Sequence, residues 1–371
     1  MTGKESFFKL VEEGRKGNNI GMPIGSPKME KFMDGYLGGT SYLIGGASGS
    51  GKSTKALYSF IYCPLIAFLE NPEFSNRDPH WLIFCLEMTK EQLYAKLVSM
   101  YIFDKYHKQL RFKQIFSRGK DCILSDEDFE LIKNCSDFID VLDERLACVS
   151  GGLNEAKYIK IVKEYLSRFG TWNDDGTYTP NNPQQIIGGK IDHCSLVQAS
   201  NGRTKKDEMD AISRDSVFFR NTTKIFSPIH ISQFNRGSRS DERLKQSAQE
   251  PNEADFKDSG ALYEDSQVVF AIYSPHKYKN SSFHKYKIQN GLEQCFIAEY
   301  CLKTRFGTSD FFVPLGFYGD CSHYHELPRP DEIYDYEKYK EPYWTLENNN
   351  LKDENNEEKD VENKPKLKFN L

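Results

Sequence analysis

At 371 residues, the chain can hold one large α/β domain with appendages or two small domains, and either arrangement can bury a substantial core. Its formal net charge of −5 argues mildly against nucleic-acid binding, because a basic footprint usually shows in the total. Nine cysteines without a C-x-x-C pair argue against a disulfide scaffold and favour a reducing cytoplasm. The apolar runs are shorter than the roughly 20 residues of a membrane span, which argues against a membrane protein.

The predicted elements begin with a polar lead, residues 1–19, that contains one short amphipathic helix from Phe7. From residue 20 to residue 328, strand-like apolar runs alternate with helical patterns, which is typical of an α/β fold on a mainly parallel sheet. The predicted helices cover residues 52–63, 89–106, 125–138, 154–168 and 208–221. The predicted strands cover residues 40–46, 80–87, 138–142, 186–192, 226–233 and 267–275, followed by a C-terminal hairpin of residues 295–307 and 310–319.

The composition changes after Pro328. Residues 331–371 contain twelve acidic and seven basic side chains, so the other 330 residues hold 42 of each. A segment this rich in Glu, Asn, Asp and Lys has little to bury, and residues 329–371 are predicted to form an acidic, largely disordered tail. Residues 1–330 are therefore neutral, and their partners must be judged from local charge.

A glycine-rich loop follows the first predicted strand. The sequence GASGSGKST, residues 46–54, fits G-x-x-x-x-G-K-[ST] between a strand and a helix, where successive backbone N–H groups and the helix N-terminus can bind phosphate. The alternative is a glycine-rich turn with an accidental lysine. We predict an ATP site in which Lys52 contacts the β and γ phosphates and Ser53 ligates Mg²⁺; its residues are Gly46, Ala47, Ser48, Gly49, Ser50, Gly51, Lys52, Ser53 and Thr54.

Two carboxylates end later strands. Glu87 follows the apolar run WLIFCL and should project from the carboxyl edge of the sheet, where it can orient the attacking water. A surface glutamate at a strand end is the alternative. Asp192 ends the run IIGGKID and is the candidate for the Mg²⁺ shell opposite Ser53. The eight histidines show no metal-ligand spacing, so no structural metal is predicted.

The segment FCLEMTKEQLYAKLVS, residues 84–99, resembles the strand, glutamate, methionine and helix segment of DnaB-type hexameric helicases, a RecA-like family. The resemblance implies that Glu87 activates water, and it supports Asp192 as the metal-site aspartate. The Gly-Gly-Lys sequence at residues 188–190 departs from the family pattern, which has apolar residues there. A lysine at that place can snorkel or shift the strand register.

Two further segments resemble this family. HISQFNRG, residues 230–237, is similar to its strand-terminal S-Q-x-N-R segment, which implies that Gln233 senses the γ-phosphate and couples it to DNA-contacting loops. The KTR sequence at residues 303–305 is similar to its K-x-R pair on the last hairpin, which implies that Arg305, with Lys303 beside it, reaches the ATP of a neighbouring subunit. A pair of solvated strand charges is the alternative.

Two polar loops are candidates for contacts to single-stranded DNA. The first is residues 199–208, and the second runs from Arg236 to residue 265, where the DSG sequence resembles the family's [RK]-E-S-G segment. Contacts through backbone and basic side chains would make binding sequence-tolerant and salt-sensitive, although basic residues in polar loops are usually only solvated. The predicted DNA contacts are Arg203, Lys205, Lys206, Arg236, Arg239, Lys257, Asp258 and Gly260.

The resemblance covers about residues 20–320. It implies a RecA-like core with ATP and Mg²⁺ as cofactors, and a homo-hexameric ring that translocates on single-stranded DNA, with a primase or loader as a further partner. The N-terminal helical domain of the bacterial family members is not recognised, so a compact version suited to a phage or mobile element is expected. The alternatives are a RecA-like recombinase that forms filaments without unwinding, and a non-motor P-loop protein such as a small-molecule kinase.

Overall fold

A computed structural model describes residues 2–200, 202–239, 243 and 249–330 of the chain. Residues 331–371, most of the predicted tail, lie outside these ranges. The helices are α1 (Gly3–Arg15), α2 (Pro27–Met33), α3 (Lys52–Leu57), α4 (Cys63–Glu70), α5 (Lys90–Tyr106), α6 (Phe112–Ile115), α7 (Asp126–Lys133), α8 (Ser136–Arg145), α9 (Glu155–Leu166), α10 (Lys205–Thr223) and α11 (Gly260–Asp265). The strands are β1 (Tyr42–Gly46), β2 (His80–Cys85), β3 (Leu146–Ser150), β4 (Gly170–Trp172), β5 (Tyr178–Pro180), β6 (Ile187–Asp192), β7 (Phe226–Gln233), β8 (Val268–Tyr273), β9 (Ser282–Phe283), β10 (Tyr286–Lys287), β11 (Phe296–Thr304), β12 (Phe311–Tyr318) and β13 (His323–Glu326).

Nine of these strands form one sheet in the order β13-β12-β11-β8-β1-β7-β6-β2-β3. The six strands from β8 to β3 run parallel to one another, and β11, β12 and β13 are added antiparallel at one side. The predicted α/β class, mainly parallel sheet and C-terminal hairpin are confirmed. All six parallel strands end at the same edge, here called the carboxyl edge, and start at the opposite, amino edge.

Each face of the sheet packs into its own hydrophobic core. On β1, Tyr42 and Ile44 point into one core together with Phe60 and Trp81. Leu43 points to the opposite face, into the second core. Because alternate residues of a strand face opposite sides, a β1 strand that is apolar throughout requires cover on both faces.

The two glycines of the IIGGKID segment make room for aromatic rings. A Cβ atom at Gly188 would lie 2.3 Å from the Cδ1 atom of Trp81, and one at Gly189 would lie 2.3 Å from the Cζ atom of Phe226. The strand keeps an unbroken register with both neighbours, so the expected register shift does not occur. The departure from the apolar pattern thus follows from the bulk of the side chains on the adjacent strands.

The predicted strand at residues 138–142 is wrong. These residues lie within α8, where Phe138 and Leu142 are spaced four apart and are both buried on one helix face. The strand at this place is β3, residues 146–150, which pairs with β2 at the end of the sheet. Between α9 and β6, β4 and β5 form a small antiparallel hairpin that the sequence did not predict.

No helix in the described part of the chain is long and apolar enough to span a bilayer.

Candidate functional site

The phosphate loop, residues 46–54, connects the carboxyl end of β1 to the start of α3. Gly49 and Gly51 have φ angles of +68° and +90°, in the left-handed region that favours glycine. Lys52 is the first residue of α3, and its side chain is largely buried. The hydroxyl of Ser50 is also buried and has no hydrogen-bond partner among the described residues. These features leave unpaired donors at a helix N-terminus, which is the arrangement that binds an anion.

Ser53 and Asp192 meet at this edge of the sheet. The Ser53 hydroxyl donates a hydrogen bond to Oδ1 of Asp192 at 2.8 Å, and Asp192 is only 3% exposed at the end of β6. Burial raises the pKa of Asp192, but the Lys190 charge and hydrogen bonds from Lys190 and Ser53 outweigh it, so the net pKa shift is downward. An ionised carboxylate beside a hydroxyl is a set of hard oxygen donors, and these two residues therefore fit Mg²⁺.

Glu87 lies in the bend that follows β2, with its side chain exposed. Burial lowers the pKa of Lys52, whereas the charges of Asp192 and Glu87 both raise it. Burial also lowers the pKa of His193, whereas the charge of Glu87 raises the same pKa. Glu87 and Asp192 therefore both lie within electrostatic reach of Lys52 at the carboxyl edge of the sheet, where parallel α/β folds bind ligands.

Gln233 ends β7, between the strands of the phosphate loop and of Asp192, and its side chain is exposed. The next residue, Phe234, donates its backbone N–H to the carbonyl of Gly46 at 3.1 Å. The Phe234 ring packs edge-on against Phe256, with ring centroids 5.2 Å apart. Asn235 donates its backbone N–H to the Asp255 carbonyl at 3.0 Å. The segment after Gln233 therefore joins the phosphate loop to residues 253–259.

The K-x-R pair lies at the opposite edge of the sheet. Thr304 pairs with Val268, and Val268 pairs with Tyr42 at the start of β1. Gly46 lies four residues further along β1 than Tyr42, so the two ends of this strand are roughly 13 Å apart at about 3.3 Å per residue. Arg305 is exposed at this amino edge. Lys303 is held by its own chain, because its ammonium donates to the carbonyls of Tyr263 and Glu264 at 2.8 Å each.

The predicted DNA-contacting residues are dispersed. Arg203 is exposed and forms an ion pair with Glu155. Lys205 and Lys206 lie in the first turn of α10, not in a loop as predicted, because Thr204 caps that helix. Gly260 is the first residue of α11. The side chains of Arg236, Arg239, Lys257 and Asp258 lie outside the described part of the structure.

Two lysines at the phosphate loop were not predicted. The Lys277 ammonium donates to the Ser48 carbonyl at 3.4 Å and lies 2.6 Å from where a Cβ atom of Gly49 would be. The Lys96 ammonium, from α5, donates to the Thr54 hydroxyl at 3.3 Å. Neither residue has a sequence signal, because each reaches the loop only through tertiary packing.

Residues 181–326 match the family model described as the DnaB-like helicase C terminal domain. The fold is similar to a solved structure described as an ATPase domain, at 18% identity and a TM-score of 0.64, covering 88% of this chain and 99% of that one. It is similar to the same degree to a DnaB-like replicative helicase described with its interactions with primase, covering 88% of this chain and 69% of that one. No curated protein sequence matches the chain.

The matched family segment contains Asp192, Gln233 and the K-x-R hairpin, and the phosphate loop and Glu87 lie in the same sheet before it. The fold likeness extends over both parts of the chain. Residues 181–326 are therefore similar to a DnaB-like helicase C-terminal domain, and the chain has the RecA-like fold of the solved structures it matches.

Proposed function

We propose that this protein is an ATP-dependent, DnaB-like DNA helicase that works as a homo-hexameric ring, binds ATP and Mg²⁺ at the interfaces between subunits and translocates on single-stranded DNA. The observation that carries the proposal is the division of the catalytic groups between two edges of the sheet. Lys52, Asp192 and Glu87 lie at the carboxyl edge, and Arg305 lies at the amino edge. A head-to-tail interface would join the carboxyl edge of one protomer to the Arg305 surface of the next.

The phosphate loop binds the triphosphate through backbone N–H groups, and Lys52 neutralises charge on the β and γ phosphates. Ser53 and Asp192 would hold Mg²⁺, which when bound supplies charge neutralisation on the phosphate oxygens. The Ser53–Asp192 hydrogen bond of 2.8 Å supports this role, because it holds a hydroxyl and a carboxylate together beside the loop.

Glu87 accepts the proton of the attacking water or orients it through a hydrogen bond. Its exposed carboxylate, in the bend after β2, can approach a water molecule in the pocket. Lys52 lies within electrostatic reach of Glu87, so the water-activating group and the phosphate-binding group share a pocket. Arg305 of the neighbouring protomer then stabilises charge that develops on the γ-phosphoryl group.

Gln233 couples the state of the γ-phosphate to the DNA-contacting segments. Its amide can donate to a phosphate oxygen and accept from a moving loop. The hydrogen bond from Phe234 to Gly46, and that from Asn235 to Asp255, support this coupling because they tie residues 234–235 to both partners. DNA would contact Arg203, Lys205 and Lys206 and the segment from Arg236 to Gly260. One similar structure is described with primase, and a primase or loader is the further partner that we propose for the ring.

Negative-stain imaging with a non-hydrolysable ATP analogue and an oligonucleotide tests the ring. Six-membered rings, together with ATP-dependent unwinding of a forked duplex, are expected. Extended filaments without unwinding would instead support a RecA-like recombinase. Compact monomers that transfer phosphate to a small molecule would support a kinase. Because DNA contacts through phosphate are electrostatic, unwinding should also weaken steeply as salt rises.

Replacing Lys277 by Ala should weaken ATP and ADP binding by roughly five- to tenfold, because an ammonium over the phosphate loop attracts the phosphates in partly screened solvent. Burial, and to a lesser extent the nearby Lys277 charge, lowers the pKa of Lys52, which places both cations at one site. Titration with a fluorescent nucleotide measures the change. Lys285→Ala, in the exposed turn between β9 and β10, is the matched control. Equal affinities for the two variants would contradict this role of Lys277.

A further inference from the structure

The third residue of the Gly-Gly-Lys departure, Lys190, is buried in the sheet beside the metal-site carboxylate. Its side chain is 2% exposed, and its ammonium donates to Oδ2 of Asp192 at 2.9 Å. The two residues are two positions apart on β6, so they share one face of the strand. On the neighbouring strands, Lys190 is paired with the apolar residues Ile83 and Ile229.

We propose that Lys190 is a positioning residue of the magnesium site, a built-in counter-ion that orients Asp192 and balances its charge before a divalent cation binds. The two oxygens of Asp192 have different partners. Oδ2 accepts from Lys190 at 2.9 Å, and Oδ1 accepts from Ser53 at 2.8 Å. The plane of the carboxylate is thereby fixed from both sides, with Oδ1 directed at the hydroxyl of the phosphate loop. This inference rests on the proposed role of Ser53 and Asp192 in holding Mg²⁺.

Other charged side chains lie near the Lys190–Asp192 pair and contribute to its charge balance. Lys96, from α5, has its pKa lowered by burial and by Lys190, and raised by Asp192 and Glu87. Lys52, on the loop side, faces the same two carboxylates. Lys96 and Lys52 therefore add to the positive charge that Lys190 places beside Asp192. Because the positive charge is already present, the pocket should bind Mg²⁺ weakly on its own and take up the ion mainly together with nucleotide phosphates.

Removing the Lys190 charge should make the stability of the folded chain depend on Mg²⁺. Without Lys190, the buried carboxylate of Asp192 loses the ammonium group that donates a hydrogen bond to it, which destabilises the fold. An Mg²⁺ ion at Asp192 and Ser53 can then replace the missing charge, and binding to the folded state alone raises the unfolding temperature. A purely structural lysine would lose stability equally with and without the metal.

The experiment measures thermal unfolding of the full chain in EDTA and in millimolar MgCl₂, without nucleotide or DNA. Lys190→Met should lower the unfolding temperature by roughly 5–10 °C in EDTA, and MgCl₂ should recover at least half of that loss. The unaltered chain should shift by less than about 2 °C. Lys55→Met is the matched control, because Lys55 is also buried in an ion pair, 3.3 Å from Glu299. Its loss of stability should be the same in both buffers.

A second variant keeps the test decisive if Lys190→Met does not fold. In Lys190→Met with Asp192→Asn, neither charge remains, so the double variant should be more stable in EDTA than Lys190→Met and should not respond to MgCl₂. Equal losses in EDTA and MgCl₂ for Lys190→Met, or a double variant no more stable than the single one, would overturn the proposal. The readout involves neither hydrolysis nor DNA, so its failure is distinct from failure of the ring in imaging.

Discussion

Replacing Glu87 by Gln is expected to abolish ATP hydrolysis while nucleotide binding is retained. Gln keeps the size of the side chain and can still form hydrogen bonds, but it cannot accept a proton from the attacking water. Loss of such a group costs roughly 10²- to 10⁴-fold in turnover. Because Glu87 is exposed in the bend after β2, the substitution should leave the sheet intact. Steady-state hydrolysis and titration with a fluorescent nucleotide separate the two effects.

Two comparisons make this result specific. Lys52→Ala should lose hydrolysis and weaken nucleotide binding together, because Lys52 starts α3 in the phosphate loop and is the proposed contact to phosphate before and during the reaction. Glu91→Gln removes an exposed carboxylate four residues after Glu87, in the first turn of α5, and should keep full turnover. Persistent hydrolysis by the Glu87 variant would refute its assignment as the water-activating residue.

Local sequence signals were strong enough to predict the centre of the fold. The apolar run of β1, the glycines after it and the helix that follows lie next to one another in sequence, so one motif specifies all three. The strand predicted at residues 138–142 is part of a helix. A five-residue segment that is apolar at both ends, at positions 138 and 142, fits either a short strand or one turn of helix. The buried partners of that helix, which decide between the two, are distant in sequence.

The site was predictable to the extent that it lies at strand ends. Glu87 and Asp192 follow parallel strands, and parallel strands end at one edge, so their approach to Lys52 follows from topology. Lys277 and Lys96 reach the phosphate loop from a loop after β8 and from α5, and no spacing in the sequence encodes that contact.

The position of Lys190 was predictable only in part. The sequence indicated a charged residue where the strand should be apolar, and snorkelling or a register shift was expected. The register is unbroken, and the ammonium is buried instead, because Asp192 two residues later supplies a carboxylate on the same face. Here a pair interaction within one strand overrides the expectation for a single lysine.

The geometry of the K-x-R hairpin bears on assembly. β11 runs antiparallel to β8, so its last residues lie at the amino edge of the sheet while the phosphate loop lies at the carboxyl edge. Arg305 therefore has no short path to the phosphate loop of its own protomer. The hydrogen bonds from Lys303 to the carbonyls of Tyr263 and Glu264 hold the strand end against α11. We infer that this lysine positions the hairpin end and that Arg305 makes the contact across the interface.

Arg305→Ala should reduce hydrolysis by roughly 10³-fold or more, because a guanidinium that stabilises the γ-phosphoryl group is lost, while nucleotide binding is largely kept. If Arg305 acts across an interface, mixing this variant with Lys52→Ala should restore activity, since one subunit supplies an intact phosphate loop and its neighbour an intact arginine. In equal random mixtures, about a quarter of head-to-tail interfaces combine the two intact halves. Lys52→Ala mixed with the double variant Lys52→Ala, Arg305→Ala provides no such interface and should stay inactive. Equal inactivity of both mixtures, measured as steady-state hydrolysis after co-assembly, would count against catalysis between subunits.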